Sequence, residues 1–417
     1  MSRIHEEVFH DLFEKFDILS MTWIIFIHGV DKMYVKRWLE EKIKGYLKIF
    51  PVVVVIGPRQ SGKTTMVKKV FKEAQYINFD DVYTLYTARK DPKSVIPYHD
   101  MVILDEVQRL PDILLAVKEI VDNEQGRRFV ITGSSNLLMM SKISETLAGR
   151  AAYVKLRPFT LGEVMGFHPT LDELVNGKIP DRKMDLDLFE VIKKGLFPRA
   201  FLMDEGWDEW YRMYMATYVE KDVRSLQNIL DYTPFAALVT SLMYNISEIL
   251  NESEISRELG IPQNTISRYL SLLETLMIFE RVPRYDSRGK GLKKRKKVYA
   301  VDTGLVCNVL RIEPEDPWKG KLFENLMYLQ LVSQAEFFGY EIFYYRDNEL
   351  EVDFLVKSDK SITLFEIKAS ENIGLIDIKK LINAFDRTKA NYAYIVYMGK
   401  TIQRISNKIF IIPWFLL

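Results

Sequence analysis

The segment "GPRQSGKTT", residues 57–65, sets a lysine and two hydroxyls directly behind two glycines that four residues separate. A strand-like run, "VVVVIG", leads into it, and a helical pattern, "TMVKKVFKEA", leads out. This is the phosphate-loop arrangement. Gly57 and Gly62 let the backbone N–H groups of Pro58-Arg59-Gln60-Ser61-Gly62 and their neighbours face phosphate oxygens, and the following helix adds its positive end. Lys63 would reach the β and γ phosphates, and Thr64, with Thr65 beside it, would offer a hydroxyl to Mg²⁺. The expected cofactors are ATP and Mg²⁺.

Hydrolysis needs more than this loop. In "MVILDEVQRL" two carboxylates end an apolar run, where the C-terminal edge of a parallel sheet meets a bound phosphate. Asp105 would hold Mg²⁺ through its water shell, and Glu106 would polarise the attacking water. The alternative is an ordinary helix-capping pair. "FVITGSSN" ends another strand in Ser134, Ser135 and Asn136, which could bond the γ-phosphate or water, or simply cap the next helix. Arg150, in "ETLAGRAAYVKL", could stabilise transition-state charge in cis or toward a neighbouring subunit, or be a surface arginine.

The succession "GPRQSGKTT", "VILDEVQRLP", "ITGSSNLLM", "LAGRAAYVKLRPFTLGEV" resembles a large prokaryotic, archaeal-type family of AAA+ P-loop ATPases that carry an uncharacterised C-terminal domain. The resemblance runs on from Met33 through "GLFPRAF", "YVEKDV", "YAVDTGL", "GKLFEN", "EVDFLV" and "LFEIKAS". It implies an ATP-binding α/β core, a winged-helix segment and a C-terminal region similar to restriction endonucleases. It implies no particular substrate.

Two later segments carry chemistry of their own. "ESEISRELGIPQNTISRYLSLLETLMIFERV" has helix-turn-helix spacing around Gly260-Ile261-Pro262. Gln263, Asn264 and Arg268, with Thr265 and Ser267, would face base edges or phosphates in a major groove; the alternative is a packing lid or partner surface. The following "RVPRYDSRGKGLKKRKKV" carries nine basic residues and one acid from Arg281 to Lys297. Lys293, Lys294, Arg295 and Lys296 could grip DNA phosphates as a hairpin wing, make a solvated turn, or contact an acidic protein partner. Further on, Glu324 on a helix, Asp353 on a strand and Glu366-Ile367-Lys368 on the next form a nuclease-like set. Period-two alternation puts Glu366 and Lys368 on one face. Converging carboxylates with a lysine can bind Mg²⁺ and activate water against a phosphodiester, although a retained fold can also bind without cutting.

The elements that must position these residues follow from the apolar pattern. Short β-branched runs alternate with helices up to about residue 159, which predicts strands buried on both faces of a parallel sheet. Aromatic-rich amphipathic helices fill 160–275, and a second α/β unit begins near 298. The expected division is an N-terminal appendage or mis-assigned start (1–32), an AAA+ P-loop domain (33–165), a helical and winged-helix region (166–297) and a restriction-endonuclease-like α/β domain (298–417).

Composition supports a globular chain and narrows the compartment. Of 417 residues 48% are hydrophobic and 28% charged, and 58 Lys plus Arg nearly cancel 57 Asp plus Glu, so only local patches speak for nucleic acid. One cysteine, Cys307, excludes an intrachain disulfide and a cysteine-built zinc site, which fits the cytoplasm. "MTWIIFIHGV" has an apolar core of about seven residues against the roughly 20 a membrane helix needs, so no membrane insertion is expected. The favoured expectation is a Mg²⁺-dependent ATPase coupled to a module that engages DNA. The rival is a regulatory or signalling switch whose C-terminal domain docks a protein partner. A homo-oligomer is compatible with either.

Overall fold

The computed structural model describes residues 34–134, 146–219, 232–286 and 295–417. Five strands, β1 (Val52–Gly57), β2 (Gln75–Asn78), β3 (Met101–Asp105), β4 (Arg128–Ser134) and β5 (Ala151–Lys155), form one sheet in the order β2-β3-β4-β1-β5, with every pairing parallel. β1 is buried along its whole length, as a central parallel strand covered on both faces must be. One face packs Val52, Val54, Ile56 and Leu104 on the helix Ile113–Asn123; the other packs Val53, Val55 and Ile103 on the helices Leu39–Leu47 and Lys63–Val70.

Short helices follow β5, and among the described residues Gln263–Thr275 is the longest of those before the next strands. The helix Glu252–Leu259 ends at Gly260, whose φ of 65° makes the left-handed turn that leads into Gln263–Thr275. An antiparallel ribbon follows, β6 (Phe279–Val282) with β7 (Lys297–Ala300). The boundary expected at 297 therefore falls on the first residue of a strand that pairs backward to β6.

A mixed six-stranded sheet completes the chain: β8 (Glu341–Arg346), β9 (Glu351–Lys357), β10 (Ile362–Lys368), β11 (Tyr392–Tyr397), β12 (Gln403–Arg404) and β13 (Ile409–Pro413), in the order β12-β13-β11-β10-β9-β8. The helix Lys319–Phe338 covers one face and Leu375–Thr388 the other. The middle helices and this sheet are not separate hydrophobic bodies. One continuous core runs from Phe159 and Leu171 through Phe235 and Leu273 to Phe354, Tyr394 and Trp414. Among the described residues no helix is long and apolar enough to cross a membrane.

Candidate functional site

The phosphate loop connects β1 to the helix Lys63–Val70, and its sequence explains its shape. A Cβ at Gly57 would stand 2.2 Å from the Leu156 carbonyl oxygen, so only glycine fits there. Gly62 sits at φ 92° and Gln60 at φ 63°, the left-handed turns that fold the loop back on itself. The helix begins with no side-chain cap, which leaves its first N–H groups facing the loop. Lys63 is buried, and its ammonium donates to the carbonyl oxygens of Gly57 (3.0 Å) and Pro58 (2.9 Å). Thr65 is exposed. A glycine-lined cradle, an uncapped helix start and a buried ammonium suit a triphosphate.

Asp105 reaches this loop from the end of β3, across β4. Its Oδ2 accepts from the Thr64 hydroxyl at 2.8 Å and the Tyr76 hydroxyl at 2.6 Å; its Oδ1 accepts from the Glu106 amide at 3.1 Å and from the Thr132 hydroxyl. Thr64 and Asp105, expected from sequence to share Mg²⁺, are in direct contact, so the donor set suits a hard cation. Glu106 follows at φ 58°, unusual for a residue with a side chain and of the kind that gathers at functional sites. Burial raises its carboxyl pKa, with Lys63 opposing the rise and Asp105 adding to it. Its carboxylate also accepts from the Gln108 side chain.

Other expected residues are placed differently. Ser134 pairs in register with Gly57, which sets its backbone beside the loop, while Ser135 and Asn136 lie outside the described residues. Arg150 is not brought to the loop. Its carbonyl accepts from Val52 at the opposite end of β1, and six strand residues at about 3.3 Å each put roughly 17–20 Å between them. Its guanidinium makes a two-pronged pair with Asp122 at 2.5 and 2.9 Å. The expectation that Arg150 acts in cis is thereby corrected, because the turn before β5 opens on the sheet's far edge.

Several residues that hold the site carried no motif. Arg37, almost fully buried, donates to the Ser61 carbonyl inside the loop (3.0 Å) and to those of Arg157 (2.7 Å) and Pro158 (3.1 Å), and pairs with Glu163 at 3.1 Å. Arg157 in turn is buried against Glu280 and Glu336, reaching from the first sheet to β6 and to the helix Lys319–Phe338. Burial would raise the Glu280 carboxyl, but Arg157 and Lys155 outweigh it and hold it down at about 2.

"GLFPRAF" closes over the loop. Pro198 Cγ would lie 3.8 Å from a Cβ on Gly62, and the Tyr214 hydroxyl donates to the Arg59 carbonyl at 3.4 Å. Asp302, fully buried, fixes this segment by accepting from the Leu196 amide (2.6 Å), the Tyr211 hydroxyl (2.6 Å) and the Leu305 amide (3.1 Å). Gly195 is obligatory there: its φ is 75°, and a Cβ would meet Asp302 Oδ1 at 2.1 Å. Arg199, next to Pro198, is exposed.

In the helix-turn-helix segment Gln263, Asn264 and Arg268 are exposed while Ile266, Tyr269 and Leu270 turn inward. Arg295 and Lys296 lead into β7; Lys293 and Lys294 lie outside the described residues. In the third unit Glu324, Asp353, Glu366 and Lys368 do converge, but with cations among them. Lys368 and Lys380 both sit on Glu366 Oε1, at 3.0 and 2.9 Å, and Lys297 sits between Glu324 and Asp353. Among the described residues no three His, Cys, Asp or Glu side chains are arranged to hold a metal ion. The set does not suit Mg²⁺ as it stands.

Residues 50–165 match a family model described as an AAA domain. Residues 185–316 and 319–417 match two others, each described as a domain of unknown function (DUF8612 and DUF4143). An uncharacterized protein of Mycobacterium tuberculosis is 26% identical over 390 residues, covering 91% of this chain and 83% of the relative. An uncharacterized protein of Methanocaldococcus jannaschii is 25% identical over 330 residues, covering 74% of this chain and 73% of the relative. Among solved structures, the Walker-type ATPase of Pyrococcus abyssi aligns with a TM-score of 0.46 at 16% identity, covering 67% of this chain and 96% of that one. The family match, the parallel sheet and the phosphate loop together make residues 50–165 an AAA domain of the P-loop ATPase class.

Proposed function

We propose that the chain is a Mg²⁺-dependent ATPase of the cytoplasm whose nucleotide state is passed to a C-terminal half that engages DNA. The observation that carries the ATPase reading is the convergence of Lys63, Thr64, Asp105 and Glu106 at one end of the sheet. Lys63 and the loop amides would bind the β and γ phosphates, and Thr64 and Asp105 would hold the metal. Bound Mg²⁺ would neutralise charge on the phosphates. Glu106, its basicity raised by burial, would orient water and take its proton.

Transmission has a physical route. Nucleotide that shifts Ser61 pulls on Arg37, which is bonded to the backbone of Arg157 and Pro158, and Arg157 is paired to β6 and to the third unit. Pro198 and Tyr214 meet the loop from the helical side. Arg199, exposed beside Pro198, would answer the γ-phosphate in cis, and Arg150 would serve a neighbouring subunit in a homo-oligomer.

DNA engagement rests on the exposed polar start of Gln263–Thr275 and the basic segment before β7, read together as a winged helix. The rival is an ATP-dependent regulatory or signalling switch whose C-terminal domain docks a protein partner. Steady-state ATP hydrolysis with and without duplex and single-stranded DNA, with Lys63→Ala as control, separates them. Stimulation by DNA, lost when Arg295 and Lys296 become Glu, supports the first reading. Indifference to DNA at low salt, with a protein retained on the wild-type chain alone, supports the rival.

A further inference from the structure

The carboxylates of the third unit are gathered around a lysine that belongs to the ribbon before it. Lys297 opens β7, its side chain is 4% exposed, and its Nζ lies 3.2 Å from Glu324 Oε1, 3.1 Å from Asp353 Oδ1 and 3.0 Å from Glu351 Oε1. Tyr299, on the same face two residues along, donates its hydroxyl to Glu324 Oε1 at 2.7 Å. Burial alone would strip the proton from such a lysine. Here Asp353, Glu324 and Glu351 outweigh burial and hold the ammonium charged, well above its ordinary pKa.

The remaining carboxylate oxygens are also largely spoken for. Asp353 Oδ2 accepts from the Ile367 amide at 2.9 Å, and Glu366 Oε1 takes both Lys368 and Lys380. Glu366 Oε2 is buried without a hydrogen-bond partner. A divalent cation needs about six oxygen ligands, and three ammonium groups, those of Lys297, Lys368 and Lys380, already occupy the carboxylate oxygens that would face it.

The ribbon that carries Lys297 is tied to the third unit at both of its arms. Tyr344 on β8 donates its hydroxyl to the Arg295 carbonyl at 2.6 Å, its amide donates to Pro283 at 3.0 Å, and its carbonyl accepts from the Tyr285 amide at 2.7 Å. The described arms of the ribbon, through Pro283 and Tyr285 on one side and Arg295 on the other, are thus held beside the carboxylates.

We infer that Lys297 is a resident cation standing where a divalent metal would sit between Glu324 and Asp353, and that this cluster seats the basic ribbon instead of hydrolysing phosphodiesters. The inference goes beyond the ATPase reading and does not depend on it. Three carboxylates converging on one point need a positive charge there. An ammonium on the ribbon supplies it permanently, whereas a metal would supply it reversibly.

Mn²⁺ uptake by the nucleotide-free full-length chain, followed by electron paramagnetic resonance at about 1 mM, the range of weak oxygen-ligand sites, tests this. Wild type and Asp353→Asn are expected to take up the same amount. Lys297→Ala, checked for folding by near-ultraviolet circular dichroism, is expected to take up one further ion, lost again when Asp353→Asn is added. A wild-type ion that Asp353→Asn abolishes would overturn the inference, and so would a folded Lys297→Ala that gains none. Should Lys297→Ala not fold, the comparison of wild type with Asp353→Asn decides alone.

Discussion

The Thr64 hydroxyl donates to Asp105 Oδ2 over 2.8 Å, joining the first turn of the loop helix to the end of a strand that β4 separates from the loop's own strand. Two oxygen donors from distant segments meet at the mouth of the phosphate cradle. Thr64→Val and Asp105→Ala should each raise the Mg²⁺ needed for half-maximal ATP hydrolysis by about 10- to 100-fold, the scale at which partners of a metal site act. A Mg²⁺ titration of hydrolysis reads this directly, and an unchanged midpoint would remove both residues from the metal site.

Glu106→Gln keeps the shape and removes the base. Nucleotide affinity should stay within a few-fold while turnover falls about 100-fold or more, the usual scale of a lost general base. The pH profile carries a sign. Glu106 must be ionised to act and burial raises its pKa, so activity should fall on the acid side at a pH above the ordinary carboxylate range. An acid limb at or below that range would contradict the assignment.

Arg37→Ala leaves Glu163 buried without its cation and frees the Ser61 carbonyl. Breaking a buried pair costs about 3–5 kcal/mol, so chemical denaturation should show a clear loss of stability. Weaker nucleotide binding should accompany it, measured calorimetrically. Arg37→Lys should recover little, because one ammonium cannot meet the three carbonyls and the carboxylate that the guanidinium spans.

Arg150 and Arg199 are separable by mixing. Arg199→Ala should lower turnover in every assembly. Arg150→Ala and Lys63→Ala, each inactive alone, should recover activity when combined, because an intact loop on one subunit then meets an intact arginine from another. No recovery would leave Arg150 as the partner of Asp122 and nothing more.

Asp302 makes a pH prediction for stability. Burial pushes its carboxyl up to about 6, against the hydrogen bonds from Tyr211 and Leu196. A raised acid binds its proton more tightly in the folded chain, so its contribution is complete below the unfolded value near 4 and is lost as pH rises through about 6. Asp302→Asn removes that slope, so its deficit in thermal midpoint relative to wild type should shrink between pH 4 and 7. A deficit that is constant or widens over that window would refute it. The same change loosens the segment that carries Pro198, and turnover should fall with it.

The loop was legible because its chemistry is local. Nine consecutive residues, a strand before and a helix after suffice to build a phosphate cradle, and the run "MVILDE" ends where a parallel strand must present its last side chains. The alternation of β-branched runs with helices likewise determined an α/β core, and Gly260-Ile261-Pro262 determined the turn between two helices. The sequence also brought Glu324, Asp353, Glu366 and Lys368 into one expected set. Tertiary structure alone decided what else stands among them. Lys297 read as one more charge in a basic run, yet its partner Asp353 is 56 residues away. Arg37 bonds to Arg157 across 120 residues and Thr132 to Asp105 across 27, neither spacing leaving a periodic trace. Arg150 showed no sign of which end of the sheet it would occupy. Periodicity records which face of an element is buried; which distant charge ends beside which is settled only when whole elements pack and each buried polar group must find its partner.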